Sequence, residues 1–360
     1  MPDKLKIIFS GGGTLGPVTP LLAVYDMLKT EYQEAEFLWV GTKTGPERKL
    51  IEEKEIKFTT FTSGKFRRYL SLWNVVDIFR IIIGFFQSLK LMWQEDPSLC
   101  ISAGGFISVP LHWAAWFWGV PTWVHQQDVR VGLANKVMAP VAKVITTALE
   151  SNLKDFSKRK TIWLGNPVRA EIFEGMISSA HKRFNLVEKL PVVFATGGGT
   201  GSMRVNQLIT QSVQHLKGFA QVIHLSGRER PQDLVERAVK YFDYYQVHQF
   251  FTEEMKDAYT AADIVISRGG FGTITEIAAL GKPAILIPKP GHQEENVKFL
   301  EKAGAVILVN EKTADGNYLA KVIRELLADE IKQKQLGKQL QKLMPLAKKE
   351  EVLAIVAKLV

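Results

Sequence analysis

Short apolar runs that end in glycine turns and hand over to helix-period stretches recur along the whole chain. Ile7-Ile8-Phe9-Ser10 runs into Gly11-Gly12-Gly13-Thr14, and Val192-Val193-Phe194-Ala195-Thr196 runs into Gly197-Gly198-Gly199-Thr200. Strands are expected at 5–9, 36–40, 57–61, 98–102, 121–125 and 143–147. The pattern then restarts at 191–195, 220–225, 247–251, 263–267, 283–287 and 305–309. Strands alternating with helices predict parallel sheets joined by right-handed crossovers. Gly165-Asn166-Pro167 and the polar 174–189 stretch place a domain boundary near 165. The expected fold class is therefore α/β, with two Rossmann-like domains, 1–165 and 166–330, whose parallel sheets face each other across a cleft. A lysine-rich helical tail, 331–360, follows, with a route back to the first domain.

A strand that ends in glycines lets backbone N–H groups and a helix N-terminus come close to an anion, which suits phosphates and nucleotides. The most specific segment runs from Ala262 through Ser267-Arg268-Gly269-Gly270-Phe271-Gly272-Thr273-Ile274-Thr275-Glu276. Glu276 falls one turn into a helix that starts at a strand end, where a carboxylate can accept both hydroxyls of a ribose. The plainer alternative is an acid that only favours the helix dipole, worth about 0.3–1 kcal/mol. His292-Gln293-Glu294-Glu295-Asn296 adds sugar-type polar groups at another strand end.

The chain has 360 residues, 46% of them hydrophobic and 23% charged, enough for two cores and unlike a disordered or fibrous protein. The single Cys100 sits in an apolar run and reads as a buried strand residue, which fits a reducing compartment. The N-terminus runs almost directly into a strand, so no signal peptide is expected and the location should be cytoplasmic. A net charge of +9 calls for an anionic partner. No nucleic-acid-binding signature accompanies it, so a membrane surface is the expected partner. Lys65, Phe66, Arg67, Arg68 and Tyr69 precede a helix with a core-facing stripe at Leu72, Val75, Val76, Phe79, Ile82, Phe86, Leu89 and Trp93. Ile78, Ile81, Phe85 and Met92 form a second apolar flank on it. Arg80, Gln87 and Ser88 interrupt that helix, so it should not span a bilayer. The seven histidines show no metal-ligand spacing, and neither a metal nor another cofactor is expected.

Taken together these motifs resemble the MurG glycosyltransferases. Gly12-Gly13-Thr14 and Pro20 match that family's first loop. Gly104-Gly105-Phe106-Ile107-Ser108 matches its Gly-Gly-Tyr-Val-Ser, and His125-Gln126-Gln127-Asp128 its His-Glu-Gln-Asn. Gly132-Leu133, Asn135-Lys136 and Gly165-Asn166-Pro167-Val168-Arg169 match unchanged, and in the second half so do Gly197-Gly198, Asn206-Gln207, His224, Ser226-Gly227 and the Arg268 to Glu276 turn. The resemblance implies a GT-B-type glycosyltransferase architecture. It also implies transfer of N-acetylglucosamine from UDP-N-acetylglucosamine to a polyprenyl-diphosphate-linked muramoyl-peptide at the inner membrane face.

Carried over by position, Glu276 would hold the ribose, the backbone near Thr252 the uracil, and Arg169 with Gly199-Thr200 the diphosphate. Phe271, Gly272 and Gln293 would line the sugar, with Thr273, Ile274 and Thr275 completing that turn and Thr14, Leu15, Gly16 and Asp128 reaching the donor from the first domain. The chain departs from the pattern at Leu15 and Pro17, where the family has glycine and histidine, and at Gly199 and Asp128, where it has serine and asparagine. With Pro17 unable to titrate, Asp128 is the first candidate for the base that deprotonates the acceptor hydroxyl, and His125 the second. A UDP-sugar- or lipid-binding scaffold and a sugar-nucleotide epimerase are the competing readings.

Overall fold

The computed structural model describes residues 5–64, 72–199, 201–228, 230, 233 and 243–360. It divides into two compact units, Met1–Arg169 with Leu346–Val360, and Ala170–Pro345. The first unit carries β1 (Lys6–Ser10), β2 (Glu36–Gly41), β3 (Lys57–Thr60), β4 (Leu99–Ser102), β5 (Thr122–Gln126), β6 (Val144–Thr147) and β7 (Thr161–Trp163). They form one sheet in the order β3-β2-β1-β4-β5-β6-β7, and every pairing is parallel. The second unit repeats the plan with β8 (Val192–Thr196), β9 (Gln221–Leu225), β10 (Tyr245–His248), β11 (Ile264–Ser267), β12 (Ala284–Leu286) and β13 (Ile307–Leu308). Their order is β10-β9-β8-β11-β12-β13, again parallel throughout.

This is the doubly wound order, in which the direction of winding reverses once in each sheet. The reversals fall between β1 and β4 and between β8 and β11. Connections leaving the carboxyl ends of those strands diverge to opposite faces and open a crevice. Both glycine turns and the Arg268 to Glu276 segment lie at these two points. The fully buried strand segments Ile7–Phe9, Val193–Ala195 and Ile264–Ile266 have no polar side to present because helices cover both faces.

Two strands depart from expectation. β7 carries no buried run, since Ile162 is 42% exposed and Trp163 37%, so no apolar pattern announces it. β10 ends at His248, whereas the run through Phe250-Phe251 suggests a later strand; Phe251 is buried after the strand has ended, stacked 6.4 Å from Phe194. The tail divides at Pro345. Helix Glu330–Leu343 buries Leu336 in the second core, while helix Lys349–Leu359 buries Val352, Ile355 and Val356 in the first, beside Tyr25 and Leu28.

Much of the expected core-facing stripe of helix Leu72–Glu95 faces outward, although Leu89 still packs on the core. Phe79, Ile82, Phe86 and Trp93 are 63%, 46%, 64% and 69% exposed, whereas Asp77, Gly84, Ser88, Leu91 and Met92 face inward. Its inner side is set by close approach: a β-carbon at Gly84 would stand 2.3 Å from the Thr62 carbonyl oxygen. Helix Ser108–Phe117 packs against it and exposes Trp116 and Phe117, followed by Trp118. Lys65, Phe66, Arg67, Arg68 and Tyr69 lie outside the described residues. Among the described residues no helix is long and apolar enough to cross a membrane. Cys100 is fully buried on β4, and burial pushes its thiol pKa up, so it is a core residue.

Three histidines are almost completely enclosed. Burial lowers His112 to about 3, His125 to about 4 and His224 to about 3. All three are neutral in the native state near pH 5, whereas in the unfolded chain they charge below about 6.5. Native stability should therefore fall as pH drops from about 6.5 toward 4, by about 2 kcal/mol per histidine between pH 7 and 5. Neither ring nitrogen of His112 has a hydrogen-bond partner. His112→Leu should thus lose less stability than the parent between pH 7 and 5 in urea titrations, and an equal loss in both would contradict the assignment.

Candidate functional site

In the first unit the glycine turn leaves β1 and is held from below by a carboxylate. Glu47, fully buried at the start of helix Glu47–Glu53, accepts from the backbone N–H of Gly13 at 3.1 Å and of Thr42 at 2.7 Å. A β-carbon at Gly12 would fall 2.1 Å from Glu47 Oε1, so a side chain there would displace the carboxylate that holds the turn. The turn then folds on itself, with the Leu15 carbonyl accepting from Val18 N, Thr19 N and Thr19 Oγ1. Thr14 and Gly16 are exposed and Leu15 and Pro17 half-buried. The neighbouring turn after β4 is tied to the first: Ser108 Oγ is 3.0 Å from both the Ser10 and Gly104 carbonyl oxygens.

The third turn at this edge leaves β5. Asn135 Nδ2 donates to Gln126 Oε1 at 2.7 Å and to the His125 carbonyl at 3.2 Å, and Gln126 Nε2 donates to the Asp128 carbonyl at 2.7 Å. This chain of amides shapes the loop on which Asp128 sits half-buried. His125 is placed differently. It is 2% exposed, with Nδ1 2.9 Å from Thr146 Oγ1, which also takes the Trp123 indole N–H at 2.7 Å. Its Nε2 is buried without a partner. Arg169, half-buried, closes the first unit.

In the second unit the loop after β8 is pressed onto its surroundings. A β-carbon at Gly201, where φ is +70°, would stand 2.5 Å from the Ser226 carbonyl oxygen. That carbonyl is fixed by Asn206 Nδ2 at 3.0 Å, and Asn206 Oδ1 faces His224 Nε2 at 3.1 Å. His224 Nδ1 meets the Tyr245 hydroxyl at 2.7 Å. A neutral imidazole satisfies both neighbours, donating from Nε2 and accepting at Nδ1, which agrees with its lowered pKa of about 3. Ser202 caps helix Met203–Val213. Gly199 is exposed at the loop tip, and Thr200 lies outside the described residues.

Beside this loop begins helix Phe271–Ala279, whose N-cap residue Gly270 offers no side-chain cap. The Thr273 hydroxyl lies 3.8 Å from where a Gly198 β-carbon would be, so the two turns are neighbours. Arg268 is engaged by the Ile287 carbonyl and in an ion pair with Glu311. Phe271, Ile274 and Thr275 are buried, so Gly272 and Thr273 carry the accessible surface of this turn and Phe271 contributes backbone. Glu276 is 6% exposed and accepts from Tyr259 Oη at 2.9 Å. Gln293, half-buried on helix His292–Lys302, accepts from the Lys289 backbone N–H at 3.2 Å. Thr252 is exposed, and its N–H donates to Glu254 Oε2 at 3.1 Å. Backbone hydrogen bonds from Glu254's own N–H and from Thr252 hold that carboxyl below its usual range. Among the described residues no cluster of His, Cys, Asp or Glu could hold a metal ion.

The sequence motifs thus fall into two groups, one per unit, along the carboxyl edge of each sheet, with the glycine turns at the reversal of strand order. Glu47, Tyr259 and Glu311 support them from outside any motif. Their partners are 34, 17 and 43 residues away, and no local signal marks them.

Comparison with known proteins agrees with this layout. Residues 7–147 match the glycosyltransferase family 28 N-terminal domain and residues 192–352 its C-terminal domain. Over 326 residues, 89% of this chain and 91% of the relative, the chain is 33% identical to a Clostridium kluyveri UDP-N-acetylglucosamine–N-acetylmuramyl-(pentapeptide) pyrophosphoryl-undecaprenol N-acetylglucosamine transferase. The crystal structure of MurG from Acinetobacter baumannii superposes with a TM-score of 0.74 at 24% identity, covering 98% of this chain and 99% of that one. A UDP-GlcNAc 2-epimerase from Neisseria meningitidis reaches 0.69 at 14% identity over 99% of both chains, a likeness of fold alone. This chain belongs to glycosyltransferase family 28 and, within it, to the MurG group.

Proposed function

We propose that this chain transfers N-acetylglucosamine from UDP-N-acetylglucosamine to an undecaprenyl-diphosphate-linked muramoyl-pentapeptide, converting lipid I to lipid II. The observation that carries this reading is a buried carboxylate, Glu276, one turn into a helix that starts at the strand-order reversal, beside a clamped glycine loop. Ribose hydroxyls would meet Glu276, and diphosphate oxygens the N–H groups around Gly199 and the open N-terminus at Gly270 to Thr273. Arg169 would add a guanidinium fork to the leaving group. The uracil would lie near Thr252, where the N–H already serves Glu254, leaving the carbonyl as the backbone group on offer. Gln293 and Gly272 would face the sugar.

In the transfer step the acceptor hydroxyl oxygen bonds to the anomeric carbon with inversion, the bond to the diphosphate breaks, and UDP departs with the electron pair. The acceptor proton goes to a base, for which Asp128 is the choice. His125 is the weaker candidate because burial holds its imidazole pKa near 4 and its Nδ1 faces Thr146. Incubation with labelled UDP-N-acetylglucosamine and lipid-linked muramoyl-pentapeptide should yield labelled disaccharide lipid. Free UDP-sugar epimerised without transfer, or bound nucleotide without turnover, would favour an epimerase or a scaffold instead. Asp128→Asn should lower turnover about 10²–10⁴-fold with UDP affinity nearly unchanged, whereas equal or higher turnover would reject the carboxylate as base.

The acceptor is a lipid, and the first unit has the surface for one. Phe79, Phe86, Trp116 and Phe117 are exposed on two packed helices, the first of which follows the basic, aromatic segment Lys65–Tyr69 in sequence. Peripheral attachment to an anionic bilayer at the cytoplasmic face follows from this reading. Sedimentation with vesicles containing anionic lipid should fall as salt rises. It should also fall in Phe79→Ser/Phe86→Ser and in Lys65→Glu/Arg67→Glu/Arg68→Glu. Unchanged sedimentation of both variants would place the attachment elsewhere.

A further inference from the structure

Glu276 ends a line of buried contacts that lies outside every motif. Tyr259, on helix Glu254–Ala261, is 1% exposed and donates its hydroxyl to Glu276 Oε2 at 2.9 Å. Its ring cannot swing. It meets Phe194 edge-on at 5.3 Å, and Phe194 stacks on Phe251 at 6.4 Å. The helix that carries it is fastened two residues earlier, where Asp257, 3% exposed, pairs with Arg183 Nε at 2.8 Å.

A carboxylate's terminal torsion is broad, so a glutamate alone does not hold its oxygens in one plane. It has about four acceptor sites, so the phenol donation can set the plane while two of the other sites serve ribose hydroxyls. We propose that Tyr259 is a positioning residue for ribose recognition: its rigidly held phenol sets the plane of the Glu276 carboxylate, so that the remaining lone pairs meet the 2′- and 3′-hydroxyls of a nucleoside diphosphate. Affinity gained this way comes from preorganisation rather than from a contact between Tyr259 and the nucleotide. The same aromatic line runs through Phe251 to Thr252, so the segment offered to the base and the carboxylate offered to the ribose share one support. The inference rests on the reading of Glu276 as the ribose acceptor.

The test is calorimetric titration of the full chain with UDP and with 2′,3′-dideoxy-UDP, in the parent, Tyr259→Phe and Glu276→Ala. Tyr259→Phe keeps the ring and its packing and removes only the hydroxyl. The parent should prefer UDP over the dideoxy nucleotide by about tenfold or more, the scale of hydrogen bonds to a charged group. Glu276→Ala should abolish that preference, and Tyr259→Phe should cut it about three- to tenfold while binding the dideoxy nucleotide within twofold of the parent. If Glu276→Ala abolishes the preference and Tyr259→Phe keeps it or sharpens it, the positioning role is overturned and the ribose reading stands. Equal weakening toward both nucleotides in Tyr259→Phe would mean that the residue only packs, and also overturns the role. If the parent shows no preference, or Glu276→Ala retains it, the ribose reading itself fails and takes the inference with it.

Discussion

A β-carbon at Gly269 would stand 2.6 Å from the Val297 side chain and 2.7 Å from the Gln293 carbonyl oxygen, and one at Gly197 would stand 2.2 Å from the Ser202 backbone nitrogen. Backbone at the carboxyl ends of β8 and β11 is packed more closely than any side chain permits. That approach lets helix His292–Lys302 close against the Arg268–Gly270 turn, with Asn296 Nδ2 reaching the Gly269 carbonyl at 3.3 Å. These turns sit at the one place in the sheet where connections diverge. The first unit repeats the constraint at Gly12, against Glu47.

Tight glycine turns are held in place by buried polar groups beneath them. Glu47 serves the first loop, the Tyr245–His224–Asn206 line the second, and Tyr259 the carboxylate of the third turn. Each support is fixed by strands or by helices packed on them. Arg268 follows the same logic. Its charge goes to Glu311 and the Ile287 carbonyl, which joins the turn to the segments that follow β12 and β13.

Much of this is legible in the sequence, for reasons that differ by element. Strands buried on both faces must be continuous apolar runs, and turns with no room for a side chain must be glycine, so both show in composition alone. Glu276 stands out because its spacing from Gly269-Gly270 sets it one turn into a helix. The orientation of helix Leu72–Glu95 is not legible, because periodicity sorts residues into faces without saying which face turns inward. Gly84, which lets the Thr62 carbonyl come close, and the buried Ser88 outweigh Phe79 and Phe86. Glu47, Tyr259 and Glu311 are invisible for another reason: a lone acid or phenol carries no mark of a partner many residues away. The burial of His125 is equally silent, since a strand-end histidine reads the same whether it faces solvent or Thr146.

On the proposed function the second unit holds a nucleoside diphosphate at the reversal between β8 and β11, with its ribose on Glu276. A crystal structure of this protein with UDP bound tests it most directly. Ribose hydroxyl oxygens should lie within about 2.5–3.0 Å of the Glu276 carboxylate, with diphosphate oxygens against the Gly197–Gly201 loop and the N-terminus of helix Phe271–Ala279. UDP seated elsewhere, or seated there with the ribose turned away from Glu276, would contradict it.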